Sequence, residues 1–306
     1  MLSGLAAGVA GALMYEKVSD GIFFEAGGTS VDISVIKNGK VMIKYAQVGG
    51  HKTYLQSLDV RTQGVAGGSM IRVRDGRVVD VGPRSAHIAG KGYECFAQEG
   101  AITSGTVRLI RPRADDPCEY AILAGQNGAE YAYTLAGAAN LLGYVPQDDY
   151  ARGVDASNAA AWDFLGRYLN CSGQDAARQV VDLAIVKVSS VVEELIGEYG
   201  LDRKFTTLVG GGGSGAVIVN ALAEKMGVKC KMAKNAPYIS TIGVALAMVR
   251  EQMERTIANP TDEDIKRIRA DILEKIVRSG AKEETVDISI EIDAQKNILR
   301  AIAAGA

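Results

Sequence analysis

Two glycine-rich turns, about 180 residues apart, constrain the fold of this chain more than any other feature of its sequence. The first reads Gly-Gly-Thr-Ser at residues 27–30 and follows an apolar run at residues 22–24. The second reads Gly-Gly-Gly-Gly-Ser-Gly at residues 210–215 and follows a short strand pattern at residues 205–209. Glycine allows a backbone to approach another backbone or a ligand closely, so each turn is predicted to follow a short strand at a point of tight approach.

The first turn is flanked by groups that suit a phosphate and its metal ion. Successive glycine amides form a concavity that accepts anions, and Thr29 and Ser30 add two hydroxyl groups. The carboxylates of Glu25 and Asp32 would repel a phosphate, but they are ligands that Mg²⁺ prefers when it accompanies a nucleotide. The alternative is a tight β-turn with Glu25 exposed to solvent.

The second turn lies between a predicted strand and a predicted helix at residues 216–226. Bare backbone at a helix N-terminus accepts a phosphate or a flat aromatic ring. The turn lacks the Gly-Lys-Ser/Thr of a P-loop and does not match Gly-x-Gly-x-x-Gly. Alone it is also compatible with a flexible connection, but the two turns together predict one nucleotide site built from distant segments. The predicted nucleotide-binding residues are Gly27, Gly28, Thr29, Ser30, Gly210, Gly211, Gly212, Gly213 and Ser214.

Hydrophobic periodicity and turn residues predict a mixed α/β chain. Asn38-Gly39 and Asp75-Gly76 are typical of type I′ hairpin turns, in which both central residues need positive φ. Residues 90–128, interrupted by two prolines, are predicted to be irregular. The predicted strands are at residues 22–24, 32–36, 41–45, 70–73, 77–81, 205–209, 228–232, 286–292 and 298–303. The predicted helices are at residues 5–14, 156–199, 216–226, 241–255 and 261–277, the last opened by a capping box.

Composition and charge exclude several classes of protein. The net charge of −2 gives no overall attraction to nucleic acid or to an anionic membrane, so neither is a predicted partner. Four cysteines without a Cys-x-x-Cys pair indicate reduced thiols and a cytoplasmic protein. Two histidines are too few for a multi-histidine metal site. The N-terminal apolar run has no basic residues before it and is shorter than the ~20 residues of a membrane span, so a signal peptide is not predicted.

Longer stretches around the two turns carry a family resemblance. EAGGTSVDISVIKNG resembles the phosphate loop of the actin-like ATPases, and LVGGGGSGAVIVNALAEKMGVKC with APYISTIGVALA is similar to their adenosine motif. SGLAAGVAGAL and LDVRTQGVAGGSMIRVRDGRVVDVGPRSA resemble the A-type, ATP-dependent hydantoinase/oxoprolinase family, over about residues 2–255. The resemblance implies an α/β actin-like ATPase (ribonuclease H-like) lobe with a glycine-rich β insertion at residues 1–260. Residues 261–306 would form a small helix-plus-hairpin appendage.

The resemblance also implies an activity, the ATP-dependent hydrolysis of a cyclic amide such as a hydantoin or 5-oxoproline. ATP and Mg²⁺ are then the expected cofactors. Glu25 and Asp32 would be the catalytic and metal-binding residues, and the nine residues of the two turns would hold the nucleotide. The family normally has aspartate where this chain has Glu25, and this chain lacks the prolines expected near Cys95.

Proteins of this superfamily have two related lobes, and this chain begins just before the second phosphate loop. The resemblance therefore favours a fragment or a separate subunit, and a partner chain or an N-terminal lobe is expected to complete it. The alternative function is a non-catalytic accessory subunit that reactivates a partner enzyme.

Three other residues are considered for roles outside the two turns. His87, next to a serine, suggests a hydrolase triad, but a surface histidine is the stronger interpretation because no strand-to-helix elbow carries the serine. Cys95 is either a nucleophile or a buried inert thiol, and the second interpretation is favoured. Trp162 and its apolar neighbours are predicted to be core.

Overall fold

The computed structural model describes residues 7–9, 11–12, 19–48, 51–125, 128–245 and 248–306. It divides the chain into two compact units, of which the first ends at Gly243 and the second runs from Val244 to Ala306. The predicted helix at residues 5–14 is helical at residues 7–9 and 11–12, and its remaining positions lie outside the described residues.

The strands of the first unit are β1 (Gly21–Ala26), β2 (Val31–Lys37), β3 (Lys40–Val41), β4 (Ile43–Val48), β5 (His51–Leu58), β6 (Val60–Gln63), β7 (Ser69–Arg74), β8 (Arg77–Ser85), β9 (Gly92–Tyr93), β10 (Gly105–Ile110), β11 (Tyr120–Gly125), β12 (Glu130–Ala132), β13 (Thr207–Gly211) and β14 (Lys229–Met232). Its helices are α1 (Leu135–Leu141), α2 (Asp155–Leu169), α3 (Gly173–Tyr199), α4 (Gly215–Met226) and α5 (Ile239–Ala245). Short 3₁₀ turns lie at Glu94–Phe96 and Ala236–Tyr238.

Strand β1 occupies the centre of the sheet that carries both glycine turns. The strand order is β14-β13-β1-β2-β3, with β6 also paired to β2. Strand β1 is parallel to β13 and antiparallel to β2. Ile22, Phe23 and Phe24 are fully buried because β1 has neighbours on both edges and packing on both faces, as a continuous apolar run requires.

A second sheet contains the glycine-rich insertion, in the order β8-β7-β11-β12-β9, with β10 paired to β11. The core between the sheets and helices includes Trp162, which is fully buried as predicted and meets the Tyr133 ring edge-on at 5.8 Å between centroids. The long helix α3 buries residues of this core at helical spacing, from Ala176 to Ile196. Burial of such an apolar stripe is the main source of helix stability in a folded chain.

The second unit consists of a helix on a three-stranded antiparallel sheet. Its elements are β15 (Val249–Thr256), α6 (Asp262–Arg278), a 3₁₀ turn at Glu283–Thr285, β16 (Asp287–Asp293) and β17 (Ile298–Gly305). The strand order is β15-β17-β16. Helix α6 begins with the predicted capping box, in which Thr261 and Asp264 exchange hydrogen bonds. Its residues Ile268, Ile272 and Ile276 belong to the same buried cluster as Leu299, Ala301 and Ala303 of β17.

Both hairpin turns are confirmed, and three regions of the secondary-structure prediction are wrong. Asn38 and Gly39 have φ of 52° and 66°, and Asp75 and Gly76 have φ of 51° and 69°. Residues 249–255 of the helix predicted at 241–255 belong instead to β15, because each residue of this strand pairs with a distant residue of β17. Residues 90–128, predicted as irregular, contain β9, β10 and β11; the two prolines lie in the connection between β10 and β11.

The predicted helix at residues 156–199 is two helices, separated at Asn170, which has a left-handed φ of 55°. The second unit, which runs from Val244, contains β15 in addition to a helix and a hairpin, because β15 pairs with β17. No helix in the described parts of the chain has both the length and the hydropathy that a membrane span needs.

Candidate functional site

The two glycine turns meet at one end of the central sheet. Strands β1 and β13 are parallel neighbours, with Glu25 opposite Gly211, so the segments that follow them emerge side by side. The Ser214 N–H donates to the Ala26 carbonyl at 3.0 Å. The sequence predicted that these segments form one site, and the structure places their backbones in direct contact.

Gly212 makes this contact possible. Its φ is +77°, and a Cβ there would lie 3.0 Å from both the N and the C of Ala26 and closer still to its carbonyl oxygen. The Gly212 N–H donates a hydrogen bond to the Ala236 carbonyl at 2.8 Å. Any other residue would be strained at this φ and would separate the two turns.

The five predicted residues of the second turn do not share one environment. Gly212, Gly213 and Ser214 are partly exposed, whereas Gly210 and Gly211 are buried inside β13. A Cβ on Gly210 would meet the Met232 side chain at 2.6 Å, and one on Gly211 would meet the Phe23 ring at 2.7 Å. These two glycines therefore allow close packing of the sheet, and only the last three predicted residues face the open turn.

A third glycine pair, Gly67-Gly68, completes the site. The Gly67 N–H donates to the Gly27 carbonyl at 3.2 Å, and the Gly68 N–H donates to the Gly28 carbonyl at 2.9 Å. A Cβ on Gly67 would collide with Ser214, so this pair touches both predicted turns. Gly67 and Gly68 were not among the residues predicted to form the site. The sequence signal for them is a pair of glycines just before a predicted strand.

These hydrogen bonds orient the amides of the first turn. In a trans peptide the C=O and the following N–H point in opposite directions. Because Gly67 and Gly68 bind the carbonyls of Gly27 and Gly28, the N–H groups of Gly28 and Thr29 point away from them. No described residue accepts a hydrogen bond from the N–H of Gly28, Thr29 or Ser30. Adjacent free amides of this kind form an anion-binding nest.

The two predicted carboxylates lie opposite each other beside this nest. Glu25 on β1 and Asp32 on β2 are paired in register, so their side chains share one face of the sheet. Burial raises the pKa of Glu25 to about 7, and the neighbouring Asp32 carboxylate adds to this rise. Such a pair of like charges is the arrangement that a divalent cation stabilises.

The two carboxylates differ in accessibility. Glu25 accepts a hydrogen bond from Ser240, and its Oε2 is buried, has no hydrogen-bond partner among the described residues and lies against Gly8. Asp32 accepts from Thr62 through Oδ1 at 2.5 Å, and its Oδ2 takes no hydrogen bond from the described residues. Asp32 is thus the carboxylate with an oxygen free to bind a metal ion.

Among the described residues, no three side chains of His, Cys, Asp and Glu lie close enough to form a metal site by themselves. Mg²⁺ usually takes one or two carboxylates and completes its shell with phosphate oxygens and water. The Glu25–Asp32 pair beside free amides fits that pattern.

The other residues considered for catalysis lie in different surroundings. His87 is exposed, in a turn after β8. Cys95 is fully buried, and burial raises the pKa of its thiol well above the ordinary value, which keeps the sulfur protonated and unreactive. The interpretation of Cys95 as an inert buried thiol agrees with this environment.

The model of the family described as hydantoinase/oxoprolinase matches residues 1–253, most of this sequence. The chain belongs to the hydantoinase/oxoprolinase family. Family membership and an actin-like ATPase type of α/β fold were both predicted from the sequence, and both are confirmed.

Two curated relatives that the chain matches are much longer than the chain. Caprolactamase subunit alpha of Pseudomonas jessenii is 27% identical over 245 residues, which are 79% of this chain and 32% of that protein. An uncharacterized protein of Schizosaccharomyces pombe is 25% identical over 302 residues, 93% of this chain and 21% of that protein. The chain therefore spans about a third or less of these curated relatives.

Two solved structures share the fold. A nucleotide-free structure of acetone carboxylase, from a study of ATP-dependent acetone carboxylation, has a TM-score of 0.62 at 17% identity and covers 99% of this chain and 49% of that one. The ATP-dependent caprolactamase of Pseudomonas jessenii has a TM-score of 0.58 at 18% identity and covers 98% of this chain and 49% of that one.

Proposed function

We propose that this hydantoinase/oxoprolinase chain is the nucleotide-binding lobe of an ATP-dependent hydrolase of cyclic amides. The observation that carries the proposal is the orientation of the Gly28 and Thr29 amides away from Gly67-Gly68, beside the Glu25–Asp32 pair. The relatives named as a caprolactamase subunit and as an ATP-dependent caprolactamase support a cyclic amide as substrate. Which ring is opened depends on parts of the enzyme beyond this site.

The first turn binds phosphate in this proposal. The N–H groups of Gly28, Thr29 and Ser30 supply donors, and Gly27 and Gly28 leave space for the phosphate to approach the backbone. The Thr29 and Ser85 hydroxyls form a hydrogen bond of 2.9 Å, which fixes the Thr29 side chain at the turn. Gly213 and Ser214 would contact the same ligand from the second turn, whose backbone is joined to Ala26 by the Ser214 N–H.

The carboxylates would hold Mg²⁺ in this proposal. Asp32 would bind it through Oδ2, while Thr62 fixes the other oxygen of the carboxylate. Glu25 contributes negative charge from the opposite strand and is held by Ser240. Bound Mg²⁺–ATP supplies the activation that makes a stable amide reactive toward water, and this chain's residues position its phosphates.

A further lobe or partner chain completes the enzyme, because this chain covers 49% of each solved relative. The enzyme is placed in the cytoplasm, in keeping with the four cysteines, all of which are free thiols. A non-catalytic accessory subunit would bind the same nucleotide. Stimulation of ATP turnover by lactams or hydantoins distinguishes the hydrolase from the accessory subunit.

We expect Asp32→Asn to weaken Mg²⁺–ATP binding at least about ten-fold, because it removes the charge of the proposed metal ligand and keeps its size and its bond to Thr62. Isothermal titration calorimetry of the purified chain, with Mg²⁺ and with EDTA, measures this. The loss should occur only with Mg²⁺ present. Asp182→Asn, on the exposed face of α3, is the matched control. Equal Mg²⁺–ATP affinity in Asp32→Asn and wild type would contradict the assignment of Asp32.

A further inference from the structure

We propose that Tyr93 is a phosphate-binding residue of this site, with its phenol O–H donating to an oxygen of the phosphate held by the Gly28 and Thr29 amides. The inference rests on the proposed function and names a residue that neither turn contains. Tyr93 ends strand β9, in the region that the sequence predicted to be irregular.

The Tyr93 hydroxyl lies where side chains would be at two glycines of the site. A Cβ added to Gly28 would be 3.0 Å from Tyr93 Oη, and one added to Gly68 would overlap the same oxygen. Gly68 also lies in close contact with the first turn, since a Cβ added to it would be 2.6 Å from the Gly28 carbonyl oxygen. The hydroxyl therefore lies next to Gly28 and Gly68, at the edge of the first turn.

The side chain is partly buried, but its hydroxyl makes no hydrogen bond to a described residue and reaches solvent. Burial raises the pKa of Tyr93, so the phenol stays protonated and remains a donor at neutral pH. A hydroxyl that reaches solvent and has no partner in the protein can donate to a ligand. A bound phosphate oxygen would accept this hydrogen bond, and a hydrogen bond to a charged acceptor is stronger than one to a neutral acceptor.

The surroundings hold the Tyr93 ring in place. The Phe96 ring lies 5.4 Å away between centroids, and Tyr93 pairs with Ala132 of β12. The next residue, Glu94, is fully buried and accepts hydrogen bonds from Thr134 and Trp162. The phenol is thus positioned before a ligand arrives, which lowers the entropic cost of binding.

The test is Tyr93→Phe, which removes the hydroxyl and keeps the ring. We expect its Kd for Mg²⁺–ATP, measured by isothermal titration calorimetry, to rise about 10- to 100-fold, the range for a lost hydrogen bond to a charged group. Its melting temperature without ligand should match that of wild type. Magnesium tripolyphosphate, which carries phosphates without adenosine, should show the same loss. Tyr168→Phe, an exposed tyrosine on α2, is the matched control.

The outcomes separate the inference from the proposed function. If wild type binds Mg²⁺–ATP and Tyr93→Phe binds it equally well, Tyr93 only packs against the glycines and the inference is overturned. If Tyr93→Phe instead loses stability without ligand and keeps its affinity, the hydroxyl is structural and the inference is overturned as well. A wild-type chain that binds neither Mg²⁺–ATP nor tripolyphosphate overturns the proposed function together with the role of Tyr93.

Discussion

Glu94→Ala is expected to lower the free energy of unfolding of the first unit by about 3 kcal/mol or more. The Glu94 carboxylate is fully buried and accepts from the Thr134 N–H and hydroxyl, both at 3.0 Å, and from Trp162 Nε1 at 3.2 Å. Alanine would leave these donors without an acceptor and open a cavity. Urea unfolding followed by the fluorescence of Trp162, the single tryptophan, reports on this unit specifically.

Glu94→Gln is the control that keeps the shape. Its amide oxygen can replace Oε1, the acceptor for both the Thr134 N–H and Trp162, and its NH₂ can donate to the Thr134 hydroxyl. We therefore expect Glu94→Gln to retain most of the stability that Glu94→Ala loses. If both variants unfold at the same urea concentration as wild type, this network contributes nothing to stability.

The free energy of unfolding should also depend on pH differently in wild type and in Glu94→Gln. Burial raises the pKa of Glu94 from an ordinary 4.5 to about 7, against the opposing effect of its hydrogen bonds. The folded chain therefore keeps a proton that the unfolded chain releases. The stability from this group is fully present below about pH 4.5 and is lost as the pH rises to about 7. Wild type should lose stability relative to Glu94→Gln between pH 5 and pH 8, measured as the difference in urea midpoints at each pH; a constant difference would contradict the raised pKa.

Gly212→Ala is expected to destabilise the first unit by about 3 kcal/mol and to abolish nucleotide binding. Its cost combines a left-handed φ, at roughly 1–2 kcal/mol for a residue with a Cβ, with overpacking against Ala26, at roughly 1–3 kcal/mol. The methyl group would push apart the two turns that the Ser214–Ala26 hydrogen bond joins. Urea unfolding and Mg²⁺–ATP calorimetry on the same preparation measure both effects.

Gly227→Ala is the control that distinguishes backbone strain at a positive φ from the clash of the new methyl group with Ala26. Gly227 ends α4 with a φ of +65°, close to the +77° of Gly212, but a Cβ there meets nothing within 4 Å. It should cost only about 1 kcal/mol and leave nucleotide binding intact. Equal effects of the two substitutions would show that the contact between the turns is unimportant.

Much of the candidate site was predictable from the sequence because its signals are local. Asn38-Gly39 and Asp75-Gly76 set their hairpins through their own φ preferences, and the run of apolar residues before Gly27 made β1 a buried strand. Thr261 and Asp264 set the start of α6 in the same way. The roles of Glu25, Asp32 and the glycine turns in binding remain predictions, which the experiments above test.

Tertiary pairing decided what the sequence could not. Residues 249–256 became β15 through pairing with β17, and no local pattern records a partner about 50 residues away. In the structure, Gly210 and Gly211 are buried and Gly212 and Gly213 are partly exposed, according to their neighbours in the sheet. It also brought Gly67-Gly68 and Tyr93 to the first turn.

The sequence by itself therefore determined the buried strand β1, the hairpin turns and the family of this protein, since these signals depend on the conformational preferences of nearby residues. The tertiary structure alone decided which backbone amides remain free and which hydroxyl lies beside them. The free amides result because a distant segment, Gly67-Gly68, donates hydrogen bonds to the carbonyls of Gly27 and Gly28. Only a folded chain brings these segments within hydrogen-bonding distance.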